Sequence, residues 1–326
     1  MDMDPRLIID WTLELSVIGS FTRIGPAVRG GLFGWRDPAP GALAGRTALV
    51  TGPTSGLGRA TAGGLAAAGA RLVLVGRNEA RLATVRDELR QETGADRYQT
   101  VVADLSSLAS VRAAVDEISR TNERLDVAVD NAGAIFGERQ LSVDGIEATL
   151  ALLAVGPFAL TSGLLPLLRS TSGSRVVAVT SGGMYTQAVP LDDLQYERGT
   201  YSGPRAYARA KRVQVALVRE WARRLGAADP HVNAMHPGWA DTPGISASLP
   251  GFYGLMRALL RSPAQGADTA IWLATSAAAA PARGQLFLDR RPRPFDRIPG
   301  TRLSAGERER LWSAVTQLAG IDDPVA

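Results

Sequence analysis

The chain has 326 residues, 45% of them hydrophobic and 21% charged, with a formal net charge of +4. That length suits one compact core with decorated ends, and the scattered arginines form no basic run with interleaved aromatics, which argues against a nucleic-acid partner. Cysteine is absent, so disulfides, thiol nucleophiles and cysteine-held metals are excluded; His231 and His236 stand five apart with no acid at ligand spacing, and no metal site is expected.

The first residues, Met1-Asp2-Met3-Asp4-Pro5, are acidic where a secretory signal would be basic. Residues 7–19 are apolar, but Asp10 and Glu14 interrupt them and the run is too short to span a bilayer. A cytoplasmic protein with an apolar N-terminal helix is expected. Leu7, Trp11, Leu15 and Ile18 recur at helical spacing, and Phe21, Arg23, Ile24 and Arg29 follow in a glycine-rich link. Residues 1–40 are read as an extension outside the core. Its helix either packs on the domain or on a second copy in a homo-oligomer, or lies as a peripheral contact on a membrane, with Asp10 and Glu14 opposing deep insertion.

The core begins with a buried strand at 48–50 that runs into Thr51-Gly52-Pro53-Thr54-Ser55-Gly56-Leu57-Gly58, a glycine-rich turn that opens a helix over 56–68. A second strand follows at 71–75. Strand, turn, helix and strand make one parallel unit. Gly52, Gly56 and Gly58 would let the backbone turn sharply and approach a pyrophosphate at the helix N-terminus. The second strand ends in Gly76-Arg77, where an acid would accept a ribose 2′-hydroxyl and exclude a 2′-phosphate. Arg77, assisted by Arg59, can fork onto that phosphate, so NADP(H) is expected over NAD(H). Deleting residues 1–40 is expected to leave nucleotide binding intact, because the turn starts at Thr51.

Strands near 98–102, 125–129, 175–180, 231–235 and 285–288 alternate with helices at 106–120, up to about 169, around Tyr207, and at 263–275. Seven strands with helices between them imply an α/β, Rossmann-type doubly wound and mostly parallel sheet with helices on both faces. It occupies 44–290, with a C-terminal extension over 291–326 that ends in a helix. The short motifs all fall at the carboxyl rim: Thr51 to Gly58, Ala103-Asp104-Leu105, Asn131-Ala132-Gly133, Thr180-Ser181-Gly182, and Pro237-Gly238 with Thr242. Within the segment Tyr207-Ala208-Arg209-Ala210-Lys211 lies the one lysine of the chain. Spacing of one helical turn puts Tyr207 and Lys211 on one face, and an ammonium beside a phenol lowers the phenol's pKa from about 10.

Together these motifs resemble the short-chain dehydrogenase/reductase family across 44–290, and one branch of it more closely on Ser181-Gly182-Gly183-Met184, 235–244, Pro250-Gly251-Phe252 and 264–269. The resemblance implies a nicotinamide-dependent oxidoreductase. Gly52, Thr54, Ser55, Gly56, Leu57, Gly58, Arg59 and Arg77 would then hold the phosphates, Asp104 and Leu105 the adenine, and Asn131, Ala132 and Gly133 the sheet beside the cofactor. Pro237, Gly238 and Thr242 would hold the carboxamide. It implies Ser181, Tyr207 and Lys211 as the catalytic residues, with Lys211 also on the nicotinamide ribose. Two positions depart from the family pattern. Leu153, three residues before Gly156, replaces an asparagine that holds a water on the lysine side of the proton relay, and Asp130 replaces an asparagine before Asn131.

Leu249, Phe252, Tyr253, Leu255, Met256, Leu259 and Leu260 read as an apolar lid suited to a small lipophilic carbonyl or alcohol, and the insertion 191–196 as part of the pocket wall. Leu153 keeps a second reading open, a catalytically weak NADP(H)-binding sensor or scaffold.

Overall fold

A computed structural model describes residues 4–226, 229–248 and 250–325. Three helices come first: α1 (Pro5–Leu15), α2 (Val17–Phe21) and α3 (Ile24–Phe33). The core then alternates β1 (Thr47–Thr51), α4 (Gly56–Ala67), β2 (Arg71–Gly76), α5 (Glu79–Thr93), β3 (Tyr98–Val102), α6 (Leu108–Thr121) and β4 (Val127–Asp130). A short α7 (Ala148–Leu150) passes through a π turn (Ala151–Val155) into α8 (Gly156–Ser170), and β5 (Arg175–Val179) follows. The rest comprises a 3-10 turn (Gly182–Thr186), α9 (Gly203–Arg224), β6 (His231–Met235), α10 (Pro243–Ser248), α11 (Pro250–Met256), α12 (Pro263–Thr275), β7 (Leu286–Leu288), β8 (Arg291–Arg293) and α13 (Ala305–Ala319).

The strands pair in the order β3-β2-β1-β4-β5-β6-β7-β8, parallel up to β7. All five residues of β1 are buried, because a central parallel strand has helices over both faces and so reads as continuous Val, Leu and Ala. One side of the sheet carries Leu49, Val73 and Val176 against α6, α8 and α9; the other carries Val50, Leu74 and Val177 against α4, α5 and α12. The helical stretch 148–170 is apolar and long enough to cross a membrane, yet it is 67% buried as a core helix.

The seven expected strands are present, and β8 is an eighth. It pairs antiparallel with β7 through a hairpin in which Asp289 and Arg290 both take positive φ, 54° and 56°, the geometry of a two-residue turn of mirror-image type. Neither residue is glycine, and Asp289 is held there by Arg29 and Arg261. A three-residue edge strand with Pro292 at its centre gives no periodic signal.

The N-terminal helices pack on the core with their charged side inward. In α1 the buried residue is Asp10, and its carboxylate binds Arg29 and Arg293 at 2.7 Å each. Glu14 binds Arg29 at 2.7 Å and also pairs with Arg297. Leu7, Trp11, Leu15 and Ile18, whose spacing suggested the packing face, are exposed instead. The reversal follows from Arg29: fully buried and contacting Asp10, Glu14 and Asp289, it needs its carboxylates inside, and α1 turns to supply them.

Candidate active site

The carboxyl ends of β1, β4 and β5 open onto a cleft of about 630 Å³, the place where open parallel sheets bind ligands. At one end lies the turn from β1 into α4. Gly52 has φ +64°, and a Cβ at Gly58 would sit 2.0 Å from the Gly52 carbonyl oxygen, so the turn closes only with a bare backbone there. The Asn131 amide donates to the Thr51 and Gly52 carbonyls at 2.9 and 3.3 Å, and the Thr51 hydroxyl accepts from the backbone of Asn131 and Ala132. Asn131 thereby ties β4 to the turn. Helix α4 has Ser55 as its N-cap without a side-chain hydrogen bond, leaving amides and the dipole facing the cleft, while α5, α6 and α12 are capped by Asn78, Ser107 and Ser262. A bare turn plus an uncapped helix end fits a pyrophosphate.

Arg77, at the end of β2, lines this end and forms no ion pair among the described residues. Asn78 and Arg81 line it too; they follow a strand end with no motif of their own, so only the helix start at Asn78 could have pointed to them. Arg59 does not line the cleft. Its guanidinium binds Glu88 and Glu92 on α5 at 3.0 and 2.5 Å, which removes it from the phosphate role expected of it. Asp104 lines the cleft and accepts from the Ser106 amide and hydroxyl at 2.9 and 2.6 Å. The other nominated residues, Thr54, Ser55, Gly56, Leu57, Leu105, Ala132, Gly133, Pro237, Gly238 and Thr242, also line it.

At the other end Ser181 caps the 3-10 turn, and its hydroxyl stands beside the Tyr207 phenol. Burial pushes Tyr207 up to about 12, and the neighbouring Ser181 hydroxyl opposes that. This reverses the lowered phenol expected from the spacing. The reason is where Lys211 points: its ammonium donates to the Val179 carbonyl at 2.7 Å and to Gln214 Oε1 at 3.2 Å, and stands 5.8 Å from the Tyr207 ring centroid. One face of one helix does bring the two together, but the charge is directed at the sheet. Leu153 is fully buried and approaches Gly133, where a Cβ would meet its methyl at 3.1 Å.

The N-terminal extension supports this end. The Phe21 carbonyl accepts from the Trp239 amide at 2.7 Å and from Arg261 Nε at 3.0 Å, and the Phe21 ring meets His236 at a tilt of 59°, 4.8 Å between centroids. A Cβ at Gly182, next to Ser181, would sit 2.4 Å from that ring. Burial and the nearby Arg261, Arg293 and Arg29 charges hold His236 neutral, its pKa well below the usual value. These contacts revise the expectation that residues 1–40 can be removed without touching nucleotide binding.

Of the expected lid, Phe252 lines the cleft and meets Trp239 edge-on at 5.1 Å, Met256 and Leu260 are buried, and Leu255 is exposed. Leu249 lies outside the described residues. The insertion 191–196 is not the pocket wall. Tyr196 is buried under Arg209, 4.2 Å from guanidinium carbon to ring centroid, and Thr186 and Pro204 form the wall in its place.

A dinucleotide cradle at a sheet rim, with a serine, a tyrosine and a lysine in the same cleft, defines a nicotinamide-dependent oxidoreductase of the α/β class. The sequence profile described as short chain dehydrogenase matches residues 46–249. Dehydrogenase/reductase SDR family member 12 of Homo sapiens, the branch to which the closer stretches pointed, is 40% identical over 279 residues, 85% of this chain and 87% of that protein. Retinol dehydrogenase 14 of Mus musculus is 34% identical over 300 residues, covering 86% and 88%. A solved structure from Beutenbergia cavernae with NADP bound at low occupancy has 28% identity and a TM-score of 0.63 over 76% of this chain and 96% of that one. The chain belongs to the short-chain dehydrogenase/reductase family.

Proposed function

We propose that the protein is an NADP(H)-dependent dehydrogenase/reductase acting on a carbonyl or alcohol of a small lipophilic substrate. The observation that carries this is the gathering of Ser181, Tyr207 and Lys211 in a cleft whose far end holds Arg77 and Arg81. The nicotinamide supplies or accepts the hydride when bound. Ser181 holds the substrate oxygen, and Tyr207, kept protonated by burial across the neutral range, donates to that oxygen in reduction. Lys211 holds the ribose side. The NADP-bound Beutenbergia structure and the absence of an acid at Gly76 both support the phosphate form.

Ile135, Phe136, Leu152, Trp239 and Phe252 make the substrate end apolar, and retinol, named for the mouse relative, is a lipophilic alcohol. A turnover screen of lipophilic ketones, aldehydes and alcohols with NADP(H), with sugars as comparison, tests the reading. Turnover confined to sugars would overturn the substrate class. Absence of turnover with every compound, beside tight NADPH binding, would favour the sensor or scaffold that Leu153 supports.

The exposed stripe of α1 and α2 supports peripheral membrane contact at the cytoplasmic face. Trp11, Leu15 and Ile18 are 64%, 65% and 54% exposed, and the acids that opposed insertion face inward against arginines. An apolar patch of this kind marks an interaction site. Liposome flotation of wild type and Trp11→Glu tests it. Loss of flotation in the variant is expected; a wild type that stays unbound, with a dimer that Trp11→Glu splits, would make the patch a contact between copies instead.

A further inference from the structure

Asp130, one of the two departures from the family pattern, stands beside the strand that holds Lys211: it pairs in register with Ala178 of β5, and the Lys211 ammonium donates to the carbonyl of the next residue, Val179. Asp130 ends β4 and is buried; Thr161 on α8 donates to its Oδ2 at 3.3 Å, and its Oδ1 has no hydrogen-bond partner. Gln214, one turn along α9 from Lys211, accepts from the ammonium at 3.2 Å. Asp130, Thr161 and Gln214 line one cavity of about 30 Å³ whose other walls include Phe158, Leu217 and Trp221. A water needs about 10–15 Å³ and at least two polar partners, which this space offers. A buried acceptor without a partner is unfavourable, and a water seated there can donate to Asp130 Oδ1.

We propose that Asp130 shares a proton with Lys211, with Gln214, which borders the Asp130 cavity and holds the ammonium, keeping the two groups together, and that it so serves as the proton store behind the lysine that the position of Leu153 does not provide. This rests on the oxidoreductase reading of Ser181, Tyr207 and Lys211. In carbonyl reduction the phenol gives its proton to the substrate oxygen and is recharged from the Lys211 ammonium, which becomes an amine. The Asp130 carboxylic acid then passes its proton to the amine, leaving carboxylate beside ammonium, and the carboxylate is reprotonated from solvent. Oxidation runs the same transfers backwards.

The proton affinities suit such sharing. Burial raises the Asp130 carboxyl to about 7 and lowers the Lys211 ammonium to about 7, and each charge opposes the shift of the other. Thr161 on α8 and Lys211 on α9 are the groups acting on Asp130, Asp130 is the charge acting on Lys211, and Tyr207 is the remaining titratable group beside the ammonium. Groups coupled in this way titrate as a pair.

The chain's single lysine makes the test direct, because lysine labelled with carbon-13 at Cε gives one side-chain resonance from the full-length protein. In Asp130→Asn the midpoint of that resonance is expected to fall by about one unit or more, a tenfold loss of proton affinity, since the variant removes the anion that supports the ammonium. An unmoved midpoint overturns the pairing. If Asp130→Asn fails to fold, Thr161→Val replaces it: removing the bond that favours the carboxylate raises Asp130, leaves less anion beside the lysine, and lowers the same midpoint by a smaller step. Neither reading needs turnover, so the pairing and the oxidoreductase assignment fail separately. In active protein, Asp130→Asn should reduce the rate of carbonyl reduction with its decline moved to lower pH and with NADPH affinity unchanged, and adding Leu153→Asn should restore part of the rate. A rate–pH profile identical to wild type contradicts the role as proton store.

Discussion

Replacing Arg29 by methionine keeps the aliphatic stem and removes the charge at the centre of the N-terminal network. Arg29 is fully buried and makes contacts of 2.7, 2.7 and 2.6 Å to Asp10, Glu14 and Asp289. Removing one partner of a buried ion pair costs about 3–5 kcal/mol. Asp289 would keep Arg261, Asp10 would keep Arg293, and Glu14 would keep Arg293 and Arg297, so no carboxylate is left alone and about 3 kcal/mol, the lower end, is expected. At about 2 °C per kcal/mol for a chain of this size, Tm falls by about 6 °C. Acid sensitivity provides a second readout. Burial alone would raise the Asp10 carboxyl, but its bonds to Arg293 and Arg29 hold it below the usual carboxylate range. A depressed carboxyl contributes stability that is present above its unfolded pKa and lost as pH falls through the folded one. With Arg29 gone that folded value rises, and acid unfolding begins at higher pH. Urea denaturation near neutral pH, with Arg59→Met as the half-buried surface control expected to change stability by under about 1 kcal/mol, is the assay. If Arg29→Met also loses less than about 1 kcal/mol, the N-terminal helices are not held through this network and the reasoning fails.

Arg77→Ala is expected to weaken NADPH binding by about ten- to a hundredfold, the loss of a charge-assisted hydrogen bond, and to leave NADH binding unchanged; calorimetric titration with both nucleotides checks it, and equal losses would remove the phosphate assignment. Deleting residues 1–40 should lower both Tm and nucleotide affinity because Phe21 no longer holds the Trp239 amide, and a folded truncation that binds NADPH like the full chain would show the extension to be dispensable for the site. With Tyr207 raised to about 12, the phenol stays protonated through neutral pH, so it remains a competent donor for reduction there. Alcohol oxidation needs the deprotonated form, and its rate should climb as pH rises; parallel pH profiles in the two directions would contradict that role for Tyr207.

Much of this architecture was legible because its signals are local. The apolar runs of β1, β2 and β5 announce strands buried on both faces, and Gly52, Gly56 and Gly58 announce a turn with no room for side chains. Tyr207 and Lys211 share a helix face by spacing alone. What escaped the sequence depends on partners distant along the chain. Arg59 looked available until α5 folded Glu88 and Glu92 against it, and the inward face of α1 is chosen by Arg29, Arg293 and Arg297 rather than by its own periodicity. The direction of the Tyr207 shift likewise depended on an orientation that spacing does not encode, since Lys211 reaches for the Val179 carbonyl.

The central claim is that Tyr207 delivers the proton in a nicotinamide-dependent reaction, and Tyr207→Phe tests it most directly, because the ring keeps its packing and only the hydroxyl that meets Ser181 is lost. Measured on a substrate from the lipophilic screen, with NADPH affinity determined in parallel, the variant should lose turnover while binding the nucleotide as wild type does. Turnover equal to wild type on every substrate would contradict the account.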